Sequence, residues 1–157
     1  MIKKNSWTPD QALTELKRWC ASQERSHEAV RTKLYERGIY GDDMENIIAT
    51  LISENFLNEL RYAKAYVSGK FKINNWGRNK ILAGLKMEKI SSYNITKAMQ
   101  TLDADAYSDT LRKLIDKKEK TLTGSLLEKK KKLFAYLLQK GYEYQTIQNC
   151  IDDKEDE

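Results

Sequence analysis

The strongest constraint on this chain is that its apolar positions come three times over. Leu34, Leu85 and Leu137 lie 51 and 52 residues apart. The same offset relates Ile39, Ile90 and Tyr142, then Met44, Ile95 and Ile147, then Ile47, Ala98 and Cys150, then Ile48, Met99 and Ile151. A fixed period with matched apolar positions is the signature of stacked modules, each too small to bury enough surface alone. The sequence therefore predicts an all-α fold of three tandem three-helix modules in an elongated, curved array. The modules are expected over 6–56, 57–102 and 103–153, with neighbours sharing part of their cores.

Helix start and stop signals fill in each module. Thr8, Pro9 and Gln11 supply an N-cap, a first-turn proline and a capping-box partner. Ala12, Leu13, Leu16, Trp19 and Cys20 follow as one apolar face. Ser26 opens a second helix with Val30, Leu34 and Tyr35 inward and Gly38 as its C′ residue. Asp42 and Asp43 start a third, favoured at the positive end of the helix dipole. In the middle third, Asn58 caps a helix running to about Ile73, the stretch Asn74 to Gly77 interrupts it, and a helix from about Arg78 to Lys89 precedes one capped by Ser91. In the last third, a helix over about Asp103 to Lys120 breaks at Thr121–Gly124. Ser125 and Glu128 offer a second capping box, Gly141 ends the next helix, and Tyr144–Ile151 closes the core. The acids from Asp152 to Glu157 read as a frayed tail. One residue departs from the pattern: Lys89 stands where the other modules have Gly38 and Gly141. A lysine in the left-handed conformation costs roughly 1 kcal/mol relative to glycine.

Composition narrows the class further. One proline and seven glycines leave little turn chemistry for β-hairpins. With 32% charged residues against 40% hydrophobic, a slender, surface-rich helical protein is expected. No apolar run approaches the roughly 20 residues needed to cross a bilayer, and Met1–Trp7 lacks the apolar core of a signal peptide. Cys20 and Cys150 make no disulfide framework, so a cytoplasmic protein with reduced thiols is expected.

The charge is unevenly placed. Between Glu59 and Glu88 there is no acid, while the 28 residues Leu60–Met87 hold Arg61, Lys64, Lys70, Lys72, Arg78, Lys80 and Lys86. Residues 56–90 carry 8 basic and 2 acidic side chains, whereas the flanking segments nearly balance, so the net charge of +5 originates in the middle. A polyanionic partner should be felt there. On a helical wheel with Ala63 at 0°, Val67 falls at about 40° and Tyr66, Ile73 and Tyr62 at about −60° to −100°, which defines a buried stripe. Arg61, Lys64 and Lys72, at about 100° to 180°, face away from it. Lys70 lands inside the stripe, where an unpaired charge is costly. It must reach past the core to solvent, pair with an acid, or border a groove. Trp76, in the following loop, is expected to plug the space between helices. The candidate binding residues are thus Arg61, Lys64, Lys70, Lys72, Arg78 and Lys80.

Searches for chemistry return little. His27 is the only histidine, and with two cysteines it cannot complete a four-ligand zinc site. Cys20 and His27 lie seven apart, but a core cysteine and a helix-start histidine explain them more simply. No glycine-rich loop follows a strand to cradle phosphate. No catalytic residue, metal or cofactor is expected. The run Lys129–Lys132 spreads over about 300° of a helix and cannot all meet one partner. Within it Lys130, in line with Leu126, Leu133, Phe134 and Leu137, is expected to snorkel.

The segment Phe56-Leu57-Asn58-Glu59-Leu60-Arg61-Tyr62-Ala63, continued by Tyr66-Val67, Lys70, Trp76-Gly77-Arg78 and Ile81–Leu85, resembles the RecX family of recombinase regulators. Ser26–Gly38 resembles the corresponding helix of the family's first module. The resemblance implies a regulator that binds the helical RecA–DNA filament, lies in its groove and restrains filament growth, ATP hydrolysis and strand exchange. It would thereby regulate recombination and DNA repair. The implied partners are the RecA filament and the single-stranded DNA within it, with no membrane partner and a monomeric regulator. A stand-alone helical DNA-binding protein is the alternative.

Overall fold

The computed structural model describes residues 5–156. The reading of a leaderless start therefore rests partly on residues 1–4, outside the described residues, as does the last acid of the tail, Glu157. Among the described residues there are nine α-helices and no strand. They are α1 (Pro9–Ser22), α2 (His27–Glu36) and α3 (Gly41–Ser53), then α4 (Glu59–Lys72), α5 (Arg78–Met87) and α6 (Ser92–Met99), then α7 (Ala104–Glu119), α8 (Leu126–Gln139) and α9 (Tyr144–Glu155). In the first group α3 packs on both α1 and α2, in the second the helices pack pairwise, and the third does the same.

The local chemistry sets most boundaries. Thr8 and Gln11 complete a reciprocal capping box before α1. Ser26, Asn58, Ser91, Asp103 and Ser125 each accept the backbone N–H three residues on, satisfying an otherwise orphaned donor. At Ser125 the return bond from Glu128 does not form, so that capping box is half made. Gly38 and Gly141 take positive φ at the helix ends, and so does Lys89, at φ 58°. The strain at Lys89 is accepted where its ammonium reaches Glu28, 3.3 Å away on α2.

The repeat seen in the sequence is the core. Leu34, Leu85 and Leu137 are all fully buried, and Ile39, Ile90 and Tyr142 lie beneath the turns that follow them. The cores are not shared evenly. Ten residues from Ala12 to Leu57 form one cluster confined to the first three helices and the turns that follow α2 and α3. A second cluster runs without interruption from Ala63 to Ile151, through α4 to α9. With 10179 Å² exposed, the protein presents about a quarter more surface than the roughly 8,100 Å² of a compact monomer of its mass, as an elongated array should.

The second and third helix groups meet through backbone. Gly77 N–H donates to Lys140 C=O and Asn79 N–H to Gly141 C=O, both at 2.8 Å. A Cβ on Gly77 would overlap the Gly141 carbonyl and Tyr142 nitrogen, and one on Gly141 would sit 2.6 Å from the Lys80 nitrogen. Around this contact Phe71, Tyr107 and Tyr142 pack in series, the first pair stacked and the second tilted, with ring centroids 5.9 and 5.2 Å apart. The Tyr142 hydroxyl donates to Asn75 C=O at 2.9 Å.

The first and second groups meet instead through polar atoms. Arg61 joins Glu24, Ser26 donates to Glu88, Lys89 pairs with Glu28, and His27 Nδ1 lies 3.9 Å from Glu59. Ser26 is the only polar residue in the buried class among the described residues.

Four expectations are corrected. Tyr35 is 66% exposed and leans on Tyr40 rather than the core, because α2 ends one residue later and turns away. Ile73 is 80% exposed: α4 stops at Lys72, and the buried stripe is Ala63–Val67–Phe71 at i, i+4 spacing. Leu126 is 87% exposed and Lys130 is exposed with it, since both precede the turn of α8 at which Leu133 and Phe134 enter the core. The acidic tail is not frayed as far as Glu155. It continues α9, held where Lys154 bonds both Asp116 and Glu119 at 2.6 Å.

Gly77→Ala tests the backbone contact cleanly, because Gly77 has an ordinary φ of −80° and only space forbids a methyl group. The expected loss in urea unfolding is about 1–3 kcal/mol, as for other overpacked sites. Gly69→Ala, where nothing lies within 4 Å of the added Cβ, should instead stabilise α4 by about 0.5–1 kcal/mol.

Candidate functional site

The acid-free segment becomes α4, the loop 73–77 and α5, and folding divides its six candidate cations into three pairs. Arg61 and Arg78 turn inward to the junctions. The Arg61 guanidinium binds the Glu24 carboxylate, Asn55 Oδ1 at 3.0 Å and the Asn55 carbonyl at 3.1 Å. It is therefore not on a free exposed face. The wheel placed it correctly opposite the core of its own module but could not show that the end of α1 and the 54–57 turn cover that side. Arg78 binds Glu143 at 2.8 Å and lies 3.9 Å over the Tyr107 ring. Tyr107 donates its hydroxyl proton to Glu143 and accepts Arg78 N–H at 3.0 Å. Burial, reinforced by that bond to Glu143, pushes the Tyr107 hydroxyl far above its ordinary range, so it stays protonated.

Lys64 and Lys72 are exposed, as expected. They flank a shallow depression floored by Val67 and Phe71 and closed by Thr101, Leu102 and Asp103.

Lys70 and Lys80 form the third pair. Lys70 resolves the conflict in its stripe by borrowing aromatic faces: its ammonium lies 4.8 Å from the Trp76 ring centre and 5.5 Å from that of Tyr66. Lys80 reaches the same Trp76 ring at 4.6 Å. Trp76 is partly buried against the core between α4 and α5, as expected of a plug. No acid lies within 4 Å of either ammonium among the described residues. Spacing of four places Tyr62, Tyr66 and Lys70 in one row on α4 and Lys80 and Gly84 in a row on α5, with Glu88 at the end of α5. Gly84 is small because the Tyr66 ring fills the space where its side chain would be. Tyr62 and Tyr66 lie 6.0 Å apart. Burial, with Glu88 adding to it, pushes the Tyr62 hydroxyl up to about 12. The result is a strip aromatic along its length, cationic at the Trp76 end and closed at the other by Glu88, which accepts from Ser26.

The acids that settle Arg61, Arg78 and Lys89 lie 37, 65 and 61 residues away in sequence, beyond the reach of any helical periodicity. Among the described residues the two groups weighed for nucleophilic chemistry, Cys20 and His27, serve the core and a helix junction. Cys20 is buried, which pushes its thiol up and keeps it protonated, and His27 faces Glu59. Among the described residues no three His, Cys, Asp or Glu side chains cluster as metal ligands, and no helix is long and apolar enough to cross a membrane.

Glu59 links the start of α4 to that of α6, accepting Ser91 N–H at 2.8 Å and the Asn94 amide at 2.9 Å. Burial opposes its charge, but these bonds and His27 outweigh it and hold the carboxyl below its ordinary 4.5. A depressed folded value stabilises above pH 4.5, and that contribution is lost as the pH falls through the lowered value. Glu59→Gln should cost about 1 kcal/mol at neutral pH, and the gap from wild type in urea titrations should narrow below pH 4.5.

Comparison with known proteins bears on the same segment. Residues 58–99 match the family model for the RecX second three-helix domain, and residues 105–151 that for the RecX third three-helix domain. The chain is 32% identical over 130 residues to the regulatory protein RecX of Clostridium perfringens strain 13, across 81% of this chain and 60% of that protein. It is 27% identical over 139 residues to that of Herminiimonas arsenicoxydans, across 88% and 89%. It spans about 60% of the length of the clostridial relatives and about half that of the Bacillus ones. In three dimensions it is similar to the crystal structure of RecX from Lactobacillus salivarius, with a TM-score of 0.83 at 23% identity over 92% of this chain and 95% of that one.

Proposed function

The chain belongs to the RecX family, and on that premise we propose that it binds RecA–DNA filaments and restrains filament growth, ATP hydrolysis and strand exchange. In this reading it acts as a monomer in the cytoplasm, tuning recombination and DNA repair, and performs no chemistry of its own. The observation that carries the reading is a coincidence of position. The segment matched to the family's second domain, 58–99, contains the acid-free stretch that supplies the net charge. An elongated array can lie along successive filament subunits, with its cationic middle toward the most negative surface available.

The six candidate cations take different parts here. Lys64, Lys72, Lys70 and Lys80 have no acidic partner among the described residues and are assigned to filament or DNA contact. Arg61 and Arg78 contribute by holding the module that presents them. The alternative, a stand-alone duplex reader with a recognition helix in the major groove, demands tight, steeply salt-dependent binding to naked DNA. A net charge of +5 with balanced outer thirds argues against it.

RecA hydrolysing ATP on single-stranded DNA provides the assay. Stoichiometric protein is expected to slow hydrolysis, and unchanged hydrolysis would count against the reading. Lys64→Glu with Lys72→Glu should weaken that effect about tenfold or more while circular dichroism and the unfolding midpoint stay put, because neither side chain supports the fold.

A further inference from the structure

We propose that the α4–α5 strip is a platform for single-stranded nucleic acid, on which Trp76 stacks one unpaired base while Lys70 and Lys80 take the neighbouring phosphates. The inference rests on the filament reading above and deepens it, by naming the polyanion that this face of the second module meets.

Three observations carry it. First, two ammonium groups converge on one indole, at 4.8 and 4.6 Å, although no carboxylate among the described residues pairs with either. Two like charges held together without a counter-ion mark a place that awaits one. Second, the surface beside them is aromatic. Tyr66 and Tyr62 continue the row from Lys70 along α4, and Gly84 leaves room for the Tyr66 ring. An acidic protein surface would use the lysines but gain nothing from the aromatic row. A nucleic-acid strand uses both, since every base has a face to stack and every linkage a charge. Third, the aromatic surface is a flank between two helices rather than a helix end projecting into a groove. Only an unpaired base can offer its face to such a flank; in a duplex the faces are already stacked.

The lysines' position on the ring does not obstruct this. A cation over the open side of a half-buried ring is held more weakly than a stacked base, so a base displaces the ammonium from the ring toward the adjoining phosphate. Lys70 therefore continues the half-buried Tyr62–Tyr66 row because its functional place is at the end of that row.

Fluorescence anisotropy with a labelled oligodeoxythymidine at low salt tests the proposal, alongside an abasic oligomer of equal length and a blunt duplex. The wild-type chain should bind oligothymidine about tenfold more tightly than the abasic strand and more tightly than the duplex. Trp76→Leu should bring oligothymidine down to the abasic level, and Trp76→Phe should retain most of the difference. Lys70→Gln with Lys80→Gln should weaken both strands and lower the slope of log affinity against log salt by about 1.4, the value for two single-strand phosphate contacts. Lys113→Gln with Lys117→Gln, on the exposed side of α7, should change the affinity little. Equal binding of thymidine and abasic strands overturns the stacking, and unchanged affinity after the Lys70 and Lys80 substitutions overturns the site. If Trp76→Leu fails to fold, the abasic comparison and the lysine pair still decide the question. The assay contains no RecA, so it succeeds or fails independently of the ATPase measurement.

Discussion

Everything downstream of Leu57 depends on two glycines whose backbones touch. Gly77 and Gly141 bring the start of α5 against the turn that ends α8, close enough for paired N–H···O=C bonds and too close for any side chain. That approach lets Phe71, Tyr107 and Tyr142 pack across the junction and fuse two modest cores into one running from Ala63 to Ile151. It also fixes the loop that carries Trp76, and with it the place where Lys70 and Lys80 converge. Modules of about 45 residues are marginal alone; here two of them share one core.

The junction with the first module has the opposite character. Its core of ten residues is separate, and it meets the second module through Arg61, Glu24, Ser26, Glu88, His27, Glu59, Lys89 and Glu28. Such contacts are directional and screened by salt, and exposed pairs contribute little each. The fold therefore places a module with its own core and a polar junction beside two modules that share one core.

The helices, their caps and the three-fold core were legible in the sequence because they depend on local spacing. Thr8 with Gln11, Ser26, Asn58 and Ser91 act within one turn, and Leu34, Leu85 and Leu137 repeat by period. Lys89 was legible as the misfit at a glycine position, and it does take positive φ. The candidate site was legible as a segment but not as a surface. Wheel arithmetic on one helix put Arg61 in solvent and Ile73 in the core. Glu24 and the end of α4 reversed both, because tertiary neighbours and a helix terminus lie outside any periodicity. Lys70 was rightly singled out as anomalous. Its partner, a tryptophan shared with Lys80, required the turn between α4 and α5 to be seen.

Native-state hydrogen exchange in increasing denaturant tests the division into a pair with a shared core and a module with its own most directly. The account predicts that amides of α4 to α9 share one opening free energy, while those of α1 to α3 open earlier as a separate unit, and more readily still at high salt. A single opening unit spanning all nine helices, or a boundary between α6 and α7 instead, would contradict it.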